Sequence, residues 1–208
     1  LGLAEKQGAN VHNKPNSIKE FNEKIFAIHF SKYIPNTLVT SNIKKIHKFF
    51  ERYENIVIKP LDGMGGKSIF KITEFNNQDI DLINKMTNSG KTQIICQKFI
   101  EEIFDGDHRI LIIHGKPFHK TLARIPEQGS FKGNLAAGGT GVAKDITDFQ
   151  KTIGKDIGSI LIKNGISFAG IDIIGEYLTE INITSPTCAR EILDQTRTNP
   201  IEEYFKGL

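Results

Sequence analysis

The chain has 208 residues, 38% of them hydrophobic and 25% charged, which is enough apolar material for one large or two small folded units and too much for a disordered chain. Its net charge is +3 with acidic and basic residues interspersed, so no basic arm or stripe points to nucleic acid, and the small excess suits a small anionic ligand. No run approaches the roughly 18 apolar residues of a membrane span, and Leu1–Asn10 lacks a charged-then-apolar leader, so a soluble cytoplasmic protein without nucleic-acid or membrane partners is expected.

The opening Leu1–Gly8 reads as the end of a helix, as if from the middle of a longer protein. Ser17 followed by Glu20 has the form of a capping box, and Phe21, Ile25 and Ile28 follow at helical spacing, which predicts a helix over 17–32. Thr37–Thr40 is a short strand, and a second helix starts at Ser41 with Ile43, Ile46, Phe49 and Phe50 on its apolar side.

Asn55–Lys59 is a buried-looking strand that stops at Pro60. It leads into Leu61, Asp62, Gly63, Met64, Gly65, Gly66 and Lys67, after which Ser68–Thr73 alternates like another strand. Glycines allow backbone N–H groups to approach phosphate oxygens without a Cβ in the way, and a lysine fixed at a strand end supplies a point charge. The segment is not a P-loop, which needs glycine where Leu61 stands and a helix where Ser68–Thr73 alternates. An ordinary glycine hairpin with a surface lysine is the alternative.

Further along, 79–89 is a short helix, Gln93–Ile100 an apolar strand, and Arg109–Ile113 with Pro117–Arg124 a hairpin around His114. Residues 126–142 are polar and glycine-rich without periodicity, and such a stretch inside a compact unit is functional or disordered. Arg124 enters this stretch, which suits a closing lid with an arginine for phosphoryl oxygens; a plain flexible linker is the alternative. Thr147–Asn164 is a strongly periodic helix, and Ser167–Ile174 and Tyr177–Ile183 are paired strands.

On that last pair, Asp172, Glu180 and Asn182 interrupt apolar runs. Glu180 and Asn182 share a strand face, but a plain two-residue turn at Gly175-Glu176 would turn Asp172 away from them. A metal reading therefore requires a three-residue loop or a bulge between Asp172 and Glu180. Three oxygen side chains beside nucleotide phosphates suit Mg²⁺, and polar residues on the wet face of an amphipathic hairpin are the alternative. Ser185-Pro186 reads as an N-cap followed by proline at the first position of a last helix, whose N–H groups could hold a carboxylate. Cys96 and Cys188 are far apart, and the six histidines form no pair at metal spacing, so neither a disulfide framework nor a Cys/His metal site is expected.

Asn22-Glu23-Lys24, Lys59 through Gly66, Asp105-Gly106-Asp107-His108-Arg109, Leu122 through Pro126, Gly133 through Gly139, Gly170 through Gly175 and Leu178 through Cys188, taken together in this order, resemble prokaryotic glutathione synthetase. The resemblance covers nearly the whole chain. It implies an α+β ATP-grasp fold, two α+β lobes clamping ATP between antiparallel sheets, and the ATP-dependent joining of γ-glutamylcysteine and glycine through an acyl phosphate, with release of ADP and phosphate.

Residue by residue, the resemblance implies that Lys24 and Lys59 hold ATP phosphates under a cover of Asp62, Gly63, Met64, Gly65 and Gly66. Gln97, Lys98, Phe99 and Ile100 would sit at the adenine, Asp107 at the ribose and Arg109 at the phosphates. Asp172, Glu180 and Asn182 would bind Mg²⁺, with Mn²⁺ as a substitute, and Asn182 would also touch the nucleotide. Arg109 and Arg124 would act in catalysis, and Arg124, Asn134, Ser185, Pro186 and Thr187 would face the peptide substrate and the transferred phosphate. The family also has an N-terminal domain in the same chain. Residues 1–16, with Ala9–Asn13 as a strand, would be its remnant, and 17–208 the ATP-grasp domain, with a smaller ATP lobe near 37–100 and a C-terminal lobe over 101–208. A homo-oligomer is implied for the full-length protein. The rival readings are another ATP-grasp carboxylate–amine ligase, or a nucleotide-binding fragment inactive without its N-terminal domain.

Overall fold

The computed structural model describes residues 1–63 and 68–208. In chain order, helices α1 (Gly2–Lys6) and α2 (Pro15–Glu20) precede strand β1 (Thr37–Thr40), α3 (Ile43–Tyr53), β2 (Ile56–Pro60), β3 (Phe70–Ile72), α4 (Asn77–Met86) and β4 (Ile94–Lys98). There follow β5 (Asp107–Ile113), β6 (Lys116–Ile125), β7 (Thr140–Asp145), α5 (Asp148–Lys163), β8 (Phe168–Ile174), β9 (Tyr177–Asn182), α6 (Ala189–Thr196) and α7 (Pro200–Lys206). The strands form two antiparallel sheets, one ordered β1-β4-β2-β3 and the other β7-β6-β5-β8-β9. Among the described residues no helix is long and apolar enough to cross a membrane.

Each sheet buries its own apolar face. In the smaller one Ile56, Ile58, Ile94 and Cys96 pack with Ile46 of α3 and Ile83 of α4. In the larger one Ile110, Ile112, Ile171 and Ile173 pack against Ile153, Ile157 and Leu161 along one side of α5, whose start is fixed by a capping box between Thr147 and Gln150. The opposite face of the larger sheet is apolar only at one end, where Leu111, Ile113 and Leu122 meet Ile192 of α6. At its other end that face carries Asp107, Arg109, Arg124 and Asp172, and there it looks toward the smaller sheet.

Gly158 sets the spacing of α5. A Cβ there would collide with the Gly115 carbonyl group in the β5–β6 turn, backbone against backbone. Gly158→Ala is therefore expected to destabilise the fold by about 2 kcal/mol, since overpacking against rigid backbone outweighs the up to ~1 kcal/mol by which alanine favours a helix. Chemical denaturation measures this, and an unchanged or raised midpoint would refute the tight approach.

The structure corrects the sequence in four places. The helix expected over 17–32 is two pieces, because Pro15 starts α2 two residues before Ser17, and the chain turns extended at Phe21. Ser17 then lies inside the helix and donates its hydroxyl to the Asn164 carbonyl oxygen at 2.5 Å rather than capping. A 3₁₀ segment, Phe26–Phe30, carries Phe26, Ala27 and Phe30 into the core. Ala9–Asn13 forms no strand, although the Asn13 side chain ties this segment to Phe168 and Ile183 through their carbonyls. Part of the stretch 126–142 belongs to the edge strand β7, whose Ala143 N–H and Gly141 carbonyl are taken up by Gln195 of α6. Lastly, Ser185-Pro186 does not open a helix: Ser185 is left-handed (φ 49°), and α6 begins only after Cys188, also left-handed (φ 87°).

Candidate functional site

The break at Phe21 has a purpose in the geometry. Asn22 accepts from the N–H groups of Lys24 and Ile25 at 3.0 Å each, an Asx-turn that ends the helix, and donates its amide to the Leu61 carbonyl at 3.1 Å. That turn aims the buried Lys24 between the sheets, where its ammonium lies 2.9 Å from the Gly63 carbonyl oxygen and 3.1 Å from Glu180 Oε1. A single cation thus spans from Gly63, just after the smaller sheet's β2, to a carboxylate of the larger sheet.

Lys59 reaches the same cleft from the end of β2, donating to Gln97 Oε1 at 2.9 Å, and Gln97 donates in turn to Thr37 Oγ1 at 3.1 Å. Lys59 is half-buried, and burial of its ammonium pushes its pKa below the ordinary lysine value against the partial support of Glu180 and Asp107. Among the described residues no carboxylate is in hydrogen-bond contact with this desolvated cation, as suits a group that meets an anion.

Across the cleft, Asp172 and Glu180 stand opposite one another in register. The hairpin turns in two residues at Gly175-Glu176, but the register shifts between Asp172 and Ile173, so Thr179 is an extra, bulged residue. The bulge required for the metal reading is present, and it is stapled by the Thr179 hydroxyl donating to the Asp172 carbonyl oxygen at 3.2 Å. Asn182 donates to Asp172 Oδ2 at 3.3 Å, so the three side chains converge.

Asp172 also anchors a buried charge network. Arg109 grips its carboxylate with Nε and Nη2, the latter at 2.8 Å from Oδ2. Arg124 Nη2 lies 2.9 Å from Asp172 Oδ2 and 2.6 Å from Asp107 Oδ2. For Asp172, burial alone would raise the pKa, but the two guanidinium groups overcome it and hold the carboxyl far below the usual range. Asp107 ends up the other way, because burial outweighs Arg124 and pushes its pKa up. Its Oδ1 is buried without a partner among the described residues, and Asp107 lines the cleft. An unpaired buried acceptor aimed into a cleft is a place for a ligand's donor.

The cleft brings together Lys24, Lys59, Gly63, Gln97, Lys98, Phe99, Ile100, Asp107, Asn134, Asp172 and Glu180. Arg109, Arg124 and Asn182 are not on its wall but touch it through Asp172. Pro186 packs over Gly170, beside the Arg109 side chain, its neighbours Ser185 and Thr187 are not on the cleft wall, and Asp62 lines an adjoining cleft shared with Lys24 and Gly63. Met64, Gly65 and Gly66 lie outside the described residues. Glu23, in the adjoining cleft, and Phe131 and Lys132, in the main one, were not singled out for the site from the sequence. The signal for Phe131 was there, since it is the one aromatic residue in 126–142.

The family model for the prokaryotic glutathione synthetase ATP-grasp domain matches residues 23–197. The chain belongs to that family. A glutathione synthetase of Nitrosomonas europaea is 47% identical over 199 residues, covering 96% of this chain and 62% of the relative, and one of Buchnera aphidicola is 49% identical over 197 residues, covering 94% and 61%. The chain thus spans about three-fifths of the length of these glutathione synthetases. Among solved structures, ATP-grasp ligase PsnB with a minimal precursor superposes with a TM-score of 0.70 at 17% identity, over 98% of this chain and 66% of that one. D-alanyl-alanine synthetase A from Vibrio cholerae gives 0.69 at 16% identity, over 99% and 69%. At such identities these two show the ATP-grasp fold, which the two facing antiparallel sheets express, and ATP and divalent-metal use go with that fold in general.

Proposed function

We propose that this chain supplies the nucleotide-binding and phosphoryl-transfer half of a glutathione synthetase, which ligates γ-glutamylcysteine to glycine at the expense of ATP. The observation that carries the reading is the meeting, in one cleft, of Lys24 and Lys59 from one side with the Asp172, Glu180 and Asn182 face from the other.

Lys59 and Lys24 would hold the phosphates, and the segment from Asp62 to Gly66 would lie over them. Gln97–Ile100 would run along the adenine, and Asp107 Oδ1 would accept from a ribose hydroxyl. The oxygen donors of Asp172, Glu180 and Asn182 fit a hard divalent cation such as Mg²⁺ or Mn²⁺, which would neutralise phosphate charge when bound. Glu180 would have to exchange Lys24 for the cation, which leaves the ammonium to the phosphates. Arg124 and Arg109, fixed by their carboxylates, would stabilise charge on the phosphoryl group, with Asn134 and the Ser185–Thr187 turn toward the peptide. No protein nucleophile is required, because attack by the substrate carboxylate on the γ-phosphate and then by the glycine amine on the acyl phosphate accounts for all bonds. The chain's residues position reactants and stabilise charge. A cytoplasmic location and a homo-oligomer of the full-length protein belong to the same reading, as does the division into smaller and larger lobes at about residue 100.

ADP release measured with γ-glutamylcysteine plus glycine, against D-alanine pairs and glutamate acceptors, tests it. The assay is run on the 208-residue chain and on the chain extended to the length of its relatives. Release with the first pair alone is expected; preference for another pair would replace the substrate assignment with a different carboxylate–amine ligase. Nucleotide binding with no release in either form would reduce the chain to a binding module.

A further inference from the structure

The apolar end of the cleft is lined in part by an aromatic ring from the 126–139 segment. Val57, Phe99 and Ile103 form a small buried cluster against which Ile69, Phe131 and Ile174 pack. All six line the cleft, so its apolar end is a slot with aliphatic sides. Phe99 belongs to the smaller lobe and Phe131 to the 126–139 segment, and their rings meet edge to face with centroids 6.0 Å apart and planes at 79°. One face of Phe99 is already covered by the Lys71 ammonium, 3.6 Å from its centroid. The next residue of the segment, Lys132, lies 5.8 Å over the Phe70 ring of β3. The Phe131 and Lys132 contacts both run from the loop of one lobe to the sheet side of the other. Gly133 then lets the backbone lie directly on Arg124 and Asp107, where a Cβ would collide with the Arg124 carbonyl oxygen.

We propose that Phe131 is a wall of the nucleobase slot carried on the loop, so that a bound aromatic base and the docking of the 126–139 segment on the smaller lobe stabilise each other. The inference rests on the nucleotide reading above and extends it: the segment that follows Arg124 also reads the base. An aromatic base placed between aliphatic walls and the Phe131 ring gains one aromatic contact that a phosphate chain alone cannot make. A loop fastened to the smaller lobe by two side-chain contacts gains most of its hold when that slot is filled.

The test compares ADP with tripolyphosphate by isothermal titration calorimetry on the 208-residue chain, in wild type, Phe131→Ala and Phe131→Leu, with hydrogen exchange followed in 126–139. Phe131→Ala is expected to weaken ADP about tenfold, the size of one base–aromatic contact, while leaving tripolyphosphate within twofold. Phe131→Leu should fall between. ADP should slow exchange of the 126–139 amides in wild type and fail to do so in Phe131→Ala at equal occupancy. ADP affinity within twofold of wild type in Phe131→Ala, an equal loss for ADP and tripolyphosphate, or unchanged protection of the loop would each overturn the inference while sparing the nucleotide site. Failure of the wild-type chain to bind either ligand would overturn the nucleotide reading itself.

Discussion

Lys59→Ala is expected to lower nucleotide-dependent turnover by at least about a hundredfold, the usual cost of losing one preorganised charge donor, and to weaken ADP binding in parallel, with little loss of stability. The two halves of this expectation have one cause. Burial of the ammonium depresses the Lys59 pKa, which means that folding works against this charge rather than being helped by it. Its hydrogen bond to Gln97 contributes about 1 kcal/mol, and removing the cation returns part of the desolvation cost. The melting temperature should therefore stay within about 3 °C of wild type. A melting scan beside the ADP-release assay separates the outcomes. A variant that unfolds shows a structural lysine, and one that keeps a tenth of its activity removes Lys59 from the phosphate site.

Asp172→Asn should do the opposite to stability. Asp172 is the shared counter-ion of two buried guanidinium groups, and taking away one partner of a buried pair costs about 3–5 kcal/mol because the remaining charge is stranded. For a chain of this size that is a fall of about 10 °C in melting temperature, measured with a chelator present so that no metal contributes. Asp107→Asn should cost much less, since burial already disfavours that carboxylate, which Arg124 supports with a smaller share from Arg109. The pH dependence has a definite sign. The folded Asp172 titrates below its unfolded value of about 3.9, so its contribution is complete above that pH and is lost as the pH falls below it. The Asp172→Asn variant should show a flatter acid side of the stability curve. Equal melting temperatures for the two variants would refute the hierarchy within the network.

Most of this site could be read from spacing and residue type. The glycine-flanked lysine, the oxygen-bearing hairpin and the need for a bulge in it all follow from strand periodicity, and each lies within one short run of the chain or on paired strands. What was hidden is long-range. Nothing near Asn22 announces that its side chain will bond to Leu61 and so cut a well-patterned helix in two. The partner of Ser17, Asn164, was equally unreadable, whereas Pro15 in the first turn of α2 was a local signal. The strand β7 lacks the alternation that marks a half-buried strand, because its exposed edge is satisfied by Gln195 from fifty-odd residues away. Phe131 is a lone aromatic in a polar stretch, and nothing near it in sequence announces its contact with Phe99.

The bulge at Thr179 makes the β8–β9 hairpin unequal in what it tolerates. Leu178, Glu180 and Asn182 have the same parity, yet Leu178 lies in the core with Ile173, while Glu180 lines the cleft and Asn182 turns its amide to Asp172. The extra residue acts as a phase shifter: on its turn side one alternation rules, on its far side the other. Loss of Thr179 itself would merely restore regular pairing, with Glu180 still across from Asp172. Loss or gain of one residue between Glu180 and Ile183 has no such absorber, and it would send either the cleft carboxylate into the core or Ile181 and Ile183 out of it. Length variation in this hairpin can therefore be absorbed on the turn side, and the far side has to keep count.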